Sequence, residues 1–134
     1  MPLPVIAITN ASTCLNNAQV EAVLPSLQKQ VSNDIKAYWE IECTLTFLPP
    51  EQPLTAGWWQ IVIVDNPDQA GALGYHEMTS TGTPLGKVFA GLDMQCGSSW
   101  TVTLSHELLE MLADCAKARS VSIYDRCKAV YEGL

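Results

Sequence analysis

Two periods of apolar residues run along this chain. Val5-Ile6-Ala7-Ile8 is a short apolar run closed by Asn10-Ala11-Ser12, which predicts a first buried strand. Val20, Val23, Leu24, Leu27, Val31, Ile35 and Trp39 then recur at three- and four-residue spacing. That spacing predicts an amphipathic helix of about twenty residues. Asn16 or Asn17 is its candidate cap. Pro25 falls inside the pattern and predicts either a kink or the true first turn.

The period then returns to two. Cys43-Thr44-Leu45-Thr46-Phe47-Leu48 alternates and is closed by Pro49-Pro50. Trp58 to Val64 is the most β-prone stretch and runs into the turn signal Asp65-Asn66-Pro67-Asp68. Trp58 and Trp59 point to opposite faces of such a strand, one to the core and one outward. Ala72–Glu77 and Lys87–Ala90 read as weaker strands around a turn rich in Thr, Gly and Pro. A second helix follows, capped near Ser98 or Ser99 and running to about Lys117. After it, Val121, Ile123 and Tyr124 suggest a short strand and Cys127 to Tyr131 a helical turn. The order β-α-β-β-β-β-α predicts an α+β fold with one mixed sheet of about four to five strands and two main helices. Residues 1–134 form a single domain on this reading, with the part after about 118 short or truncated.

Composition narrows the function. Apolar residues make up 48% of the 134 and charged residues 16%, which fits a globular core rather than disorder. No apolar run is long enough for a membrane helix, and the start lacks the features of a secretion signal. The expected location is cytoplasmic, and a phage-encoded chain would look the same. Seven Lys and Arg stand against fourteen Asp and Glu, a net charge of −7, with no basic cluster to meet a row of phosphates. Nucleic-acid binding is therefore not expected. Five cysteines without a C-x-x-C pair argue for reduced thiols rather than a zinc ribbon or a disulfide framework.

The second helix carries the chemistry. On a helical wheel Leu104, Leu108, Met111, Leu112 and Cys115 share one face. His106, Glu110 and Asp114 share the other, with Glu107 at its flank. Residues four apart are neighbours one turn on, so His106 and Glu110 can grip one ion. Glu107, one residue after the histidine, points sideways and can activate a water on that ion instead of ligating it. This is the arrangement that makes H-E-x-x-H work in metalloproteases. Glu110 in place of the second histidine makes the site harder and more negative, open to divalent ions other than zinc. The plainer alternative is a surface helix with an acidic face.

Ser105-His106-Glu107-Leu108-Leu109-Glu110-Met111-Leu112-Ala113-Asp114 resembles the core of uncharacterised bacterial and phage proteins of zincin-like metallopeptidase type, with an S-H-E-x-x-E-M-L-x-D helix. The segments from Asp65 to Glu77, Gly86 to Phe89 and Leu27 to Val31 are similar to that family too. The resemblance implies a zincin-like fold, in which a backing helix and a twisted sheet precede the metal-site helix. It implies zinc as cofactor, His106 and Glu110 as ligands, Glu107 as catalytic base and a peptide or protein as substrate. In zincins an edge strand before the metal helix pairs with the substrate backbone. Here the expected edge is Gly86 to Gly91, with Lys87, Val88, Phe89 and Ala90 as the substrate-strand candidates.

Zincins draw a third ligand from beyond the helix. Asp125 and Glu132 are the candidates in the tail. Asp114 lies about 12 Å along the helix from His106. His76 is either a cleft residue or a hydrogen-bonded strand histidine. The expected function is a zinc-dependent metallopeptidase with a degenerate H-E-x-x-E site. The alternative is a catalytically inactive zincin-like structural or partner-binding protein, favoured by the missing second histidine.

Overall fold

The computed structural model describes residues 4–35, 42–66, 74–79 and 82–117. Strand β1 (Val5–Asn10) leads into helix α1 (Asn17–Gln30), whose path continues as one π-helical turn over Val31–Ile35. Then come β2 (Thr44–Phe47), β3 (Trp59–Val64), β4 (Gly74–Met78) and β5 (Pro84–Phe89). A short helix, α2 (Ala90–Gln95), and a long one, α3 (Trp100–Lys117), complete the described chain. The fold is mixed α and β, as the order of periods predicts; α2 is the element the pattern does not announce.

The five strands form one sheet in the order β2-β1-β3-β5-β4. The first four run parallel and β4 joins β5 antiparallel. Strand alternation puts Ile6 and Ile8 of β1, Ile61 and Ile63 of β3 and Val88 of β5 on one face. All five are fully buried. They share a single hydrophobic cluster with Val20, Leu24, Leu27 and Val31 of α1 and with Leu104, Leu108, Met111 and Leu112 of α3. Both long helices therefore lie on the same face, α1 against β2 and α3 against β5 and β4. At about 25 cal/mol per Å² of apolar surface, burying such side chains is the main stabilising term of the domain.

Local chemistry sets the helix ends. Asn16 caps α1: its Oδ1 accepts from Gln19 N at 2.8 Å, and Gln19 Oε1 accepts from Asn16 N at 2.9 Å, a reciprocal capping box. Pro25 lies inside α1 and does not mark its first turn. Of the twenty-residue helix expected from the period, Asn17–Gln30 is α-helix and Val31–Ile35 the π turn, while Trp39 lies outside the described residues. Between α2 and α3, Gly97 at φ 74° supplies a conformation that a side chain would disfavour. Trp58 and Trp59 are both half-buried, so neither is fully in or out. Among the described residues no helix is long and apolar enough to cross a membrane.

Two turns fix how α2 leaves the sheet. Gly91 sits so close to the end of β3 that a Cβ there would lie 2.5 Å from the carbonyl oxygen of Asp65. That same carbonyl accepts from Leu92 N at 3.1 Å. The Asp65 side chain faces the other way and accepts from Thr13 N, Thr13 Oγ1 and Cys14 N at 2.7–3.1 Å. Thr13's hydroxyl is the first cause, with its backbone N–H next, of an Asp65 carboxyl held down at about 2.

Candidate metal centre

Helix α3 carries the site, and three contacts set its position. Its apolar stripe of Leu104, Leu108, Met111 and Leu112 is buried against the sheet. Ser105 Oγ, next to His106, donates to Gln30 Oε1 of α1 at 2.9 Å. Thr103 Oγ1, in the first turn, donates to Asp93 Oδ1 of α2 at 3.1 Å. Asp93 is fully buried, and its second oxygen, Oδ2, has no hydrogen-bond partner among the described residues. Burial raises the Asp93 carboxyl above the usual aspartate range, against the opposing pull of the Thr103 hydroxyl.

One turn of α3 brings the predicted residues together. His106 Nε2 lies 2.7 Å from Glu110 Oε1. One ligand-capable atom from each of His106, Glu107 and Glu110 falls within 4.8 Å of the others. A tetrahedral zinc with bonds near 2.1 Å sets its ligand atoms roughly 3.5 Å apart, a spacing between the shortest and the longest of these distances. The donor set, one imidazole and two carboxylates, suits zinc and harder divalent ions alike. These residues fit a metal in chemistry and spacing, with small side-chain rotations.

Burial separates their environments. The His106 side chain is 61% exposed and that of Glu110 13%. Glu107 is 4% exposed, which corrects its expected place on the flank of a solvated face. The wheel sets the angle of Glu107 around the helix, but the depth comes from how α3 rests on β5 and β4. Two of its three polar groups are largely covered, and the imidazole is the one open to solvent.

The substrate-strand expectation is corrected as well. The segment from Gly86 to Gly91 is not an edge. Residues up to Phe89 belong to β5, which lies between β3 and β4, while Ala90 and Gly91 open α2. Val88, Phe89 and Ala90 are fully buried, and Lys87 is half-buried. Among the described residues the edges of the sheet are β2 and β4. His76, placed opposite Gly86, belongs to the β4 edge.

Asp114 continues the backbone of α3. Asp125 and Glu132 lie outside the described residues, as do the expected strand at 121–124 and turn at 127–131. Among the described residues, His106, Glu107 and Glu110 are the one group of metal-ligating side chains this close together. Cys14, Cys43 and Cys96 are free thiols. Burial first, and the charge of Glu42 second, push Cys43 up to about 12, which leaves it an inert core group. The residues that sequence reasoning missed are Asp93, Thr103 and Ser105, the supports of the site. Asp93 lies within an unannounced helix, and polar residues near a helix start give no sign of which partner they meet.

No protein family, curated protein or solved structure is matched by this chain.

Proposed function

We propose that this protein is a zinc-dependent peptide-bond hydrolase with a degenerate H-E-x-x-E centre on α3. The observation that carries the reading is the covered Glu107, 4% exposed, within one helical turn of His106 and Glu110. A covered carboxylate one residue after a histidine, and beside a second carboxylate, is the placement that a general base acting on a metal-activated water needs. The resemblance of Ser105 to Asp114 to the zincin-type helix supplies the chemistry.

In this reading His106 and Glu110 would hold the ion. When bound, zinc supplies a Lewis acid that polarises the scissile carbonyl and lowers the pKa of water. Glu107 takes the proton from the attacking water and returns it to the departing amine nitrogen, so its carboxylate is regenerated at the end of the cycle. The outer edge of β4 holds the substrate backbone by strand addition, the role the resemblance gives to an edge strand before the metal helix. β4 packs beside α3, which suits that role better than the buried β5.

A second reading has its own observation. The 2.7 Å contact between His106 and Glu110 is also an ordinary i,i+4 pair that stabilises a helix without any metal. A zincin-like structural or partner-binding module would need nothing more. Elemental analysis of protein purified without chelator separates the two, run beside a His106→Ala variant. About one zinc per chain, lost in the variant, supports the hydrolase. No metal after zinc is offered leaves the structural module.

A further inference from the structure

The two edges of the sheet are not equivalent. In a parallel ladder alternate residues turn their N–H and C=O to opposite sides. Thr44 N donates to Pro4 O at 2.9 Å and Leu48 N to Ile8 O at 3.0 Å, so residues 44, 46 and 48 face β1. The peptide groups of Cys43, Leu45 and Phe47 therefore face outward, away from the sheet.

A side chain occupies part of that edge. Gln28 Nε2, from α1, donates to Cys43 O at 2.8 Å, and Gln28 Oε1 accepts from Leu45 N at 2.7 Å. These bonds bracket Thr44, and they are the pair a single residue of a parallel neighbouring strand would make. A primary carboxamide has the same donor and acceptor as a peptide group, which is why it can take that place. Its orientation is fixed from behind. The second Nε2 hydrogen meets Ser32 Oγ at 3.3 Å, and Ser32 Oγ donates to Glu42 Oε1 at 3.1 Å. With the nitrogen so committed, the oxygen is left to face Leu45. At the other end Pro49 offers no N–H. Of the outward positions 45, 47 and 49, the donor of Leu45 is taken and that of Pro49 is missing.

We infer that Gln28 is an edge cap that closes the outer side of β2 to strand addition. Unpaired strand edges invite pairing with another chain, and folds blunt them by short strands, prolines and covering groups. β2 has all three. β4 has no such device in its backbone. The bond from Thr79 N to Thr83 O sets the antiparallel phase, so the peptide groups of Gly74, His76 and Met78 turn away from β5, and none of the three is a proline. An extended partner is thereby directed to β4. The cap at β2 stands whether or not α3 binds a metal.

Amide hydrogen exchange of the unmodified protein is the first test, because Leu45 and Phe47 lie two residues apart on the same edge. The Leu45 amide should exchange at least about tenfold more slowly than that of Phe47. Equal rates overturn the cap. In Gln28→Leu the exchange rate of the Leu45 amide should rise to that of Phe47. Light scattering over a concentration series should then show more self-association than the parent, reversed by adding Phe47→Pro, which removes an outward donor next to Leu45 on the same edge. A folded Gln28→Leu protein that keeps Leu45 protected, or associates no more than the parent, overturns the inference.

Discussion

On the β1 side of the sheet the polar side chains are tied to backbone; on the β5 side they are covered and tied to one another. Asn10 Nδ2 donates to Leu15 O and its Oδ1 accepts from Ser12 N. Asn16 and Gln19 close the start of α1, Gln28 holds β2, and Asp65 takes the loop at Thr13 and Cys14. Folding alone explains each of these, since every one satisfies a backbone group that would otherwise need water. Around α3 the picture differs. His106 and Glu110 meet each other, Glu107 is sunk beside them, and Asp93 keeps one buried oxygen without a partner among the described residues. That contrast is what the proposed chemistry on α3 draws on, against the architecture of α1.

Glu107→Gln tests the contrast most severely. It keeps the shape and removes the charge. We expect turnover of a peptide substrate to fall by roughly 10²–10⁴, with the metal retained. Stability in urea should be unchanged or raised by up to about 1 kcal/mol, the usual sign for a residue kept for function. On the other side, Glu21→Gln on the exposed face of α1 should change neither quantity, with stability within about 0.5 kcal/mol. Equal effects at the two positions would erase the distinction.

Gly91→Ala comes next, and it strikes the junction between the two regions. The new Cβ would meet the Asp65 carbonyl, a backbone atom that cannot swing aside. A loss of about 1–3 kcal/mol in urea unfolding is expected. Ser26→Ala, on the exposed side of α1, should cost no more than about 0.5 kcal/mol.

How far the sequence foretold this contrast depends on the kind of signal. Period and punctuation announce all five strands and the starts of both long helices, because alternation and capping are local. The position of a strand within the sheet is not local. Alternation around Val88 reads the same for an inner strand as for an edge, and β5 becomes inner only because β4 folds back onto it. Glu107 shows the same limit, since the wheel gives its angle and the packing of α3 gives its depth. Gln28 reads as an ordinary polar residue on a helix. Its role appears only when β2 arrives fifteen residues later to meet its carboxamide.

Two smaller substitutions sharpen the comparison. Asn16→Ala removes a backbone cap from α1 and should cost about 1 kcal/mol, with no effect on metal content. Thr103→Val strips the Asp93 carboxylate of its hydroxyl donor and should cost about 1–3 kcal/mol. Because Thr103 sits one turn before His106, its loss should also weaken zinc binding in a competition titration, which Asn16→Ala should not do. Equal zinc affinity in both variants would mean that the Asp93 contact supports the helix but not the site.

The finest test uses the acid limb of stability, where the two aspartates should pull in opposite directions. Asp65 is held at about 2, below the ordinary 3.8, by the hydroxyl and N–H of Thr13. Its contribution is fully present above about pH 4 and is lost as pH falls towards 2, because the folded state must then accept a proton it resists. Asp93 is raised by burial, so the folded state holds its proton more firmly than the unfolded chain does. Its contribution is present below about pH 4 and is lost as pH rises through its folded value. Urea midpoints measured between pH 2 and 6 should therefore flatten differently in two variants. Asp65→Asn should remove stability near neutrality and lessen the fall on acidification. Asp93→Asn should steepen the rise of stability with pH, since the opposing group is gone. If both changes tilt the curve the same way, Asp93 is not held in an ionisation-averse site, and the asymmetry between the backbone-tied and the covered side of the sheet does not extend to its acids.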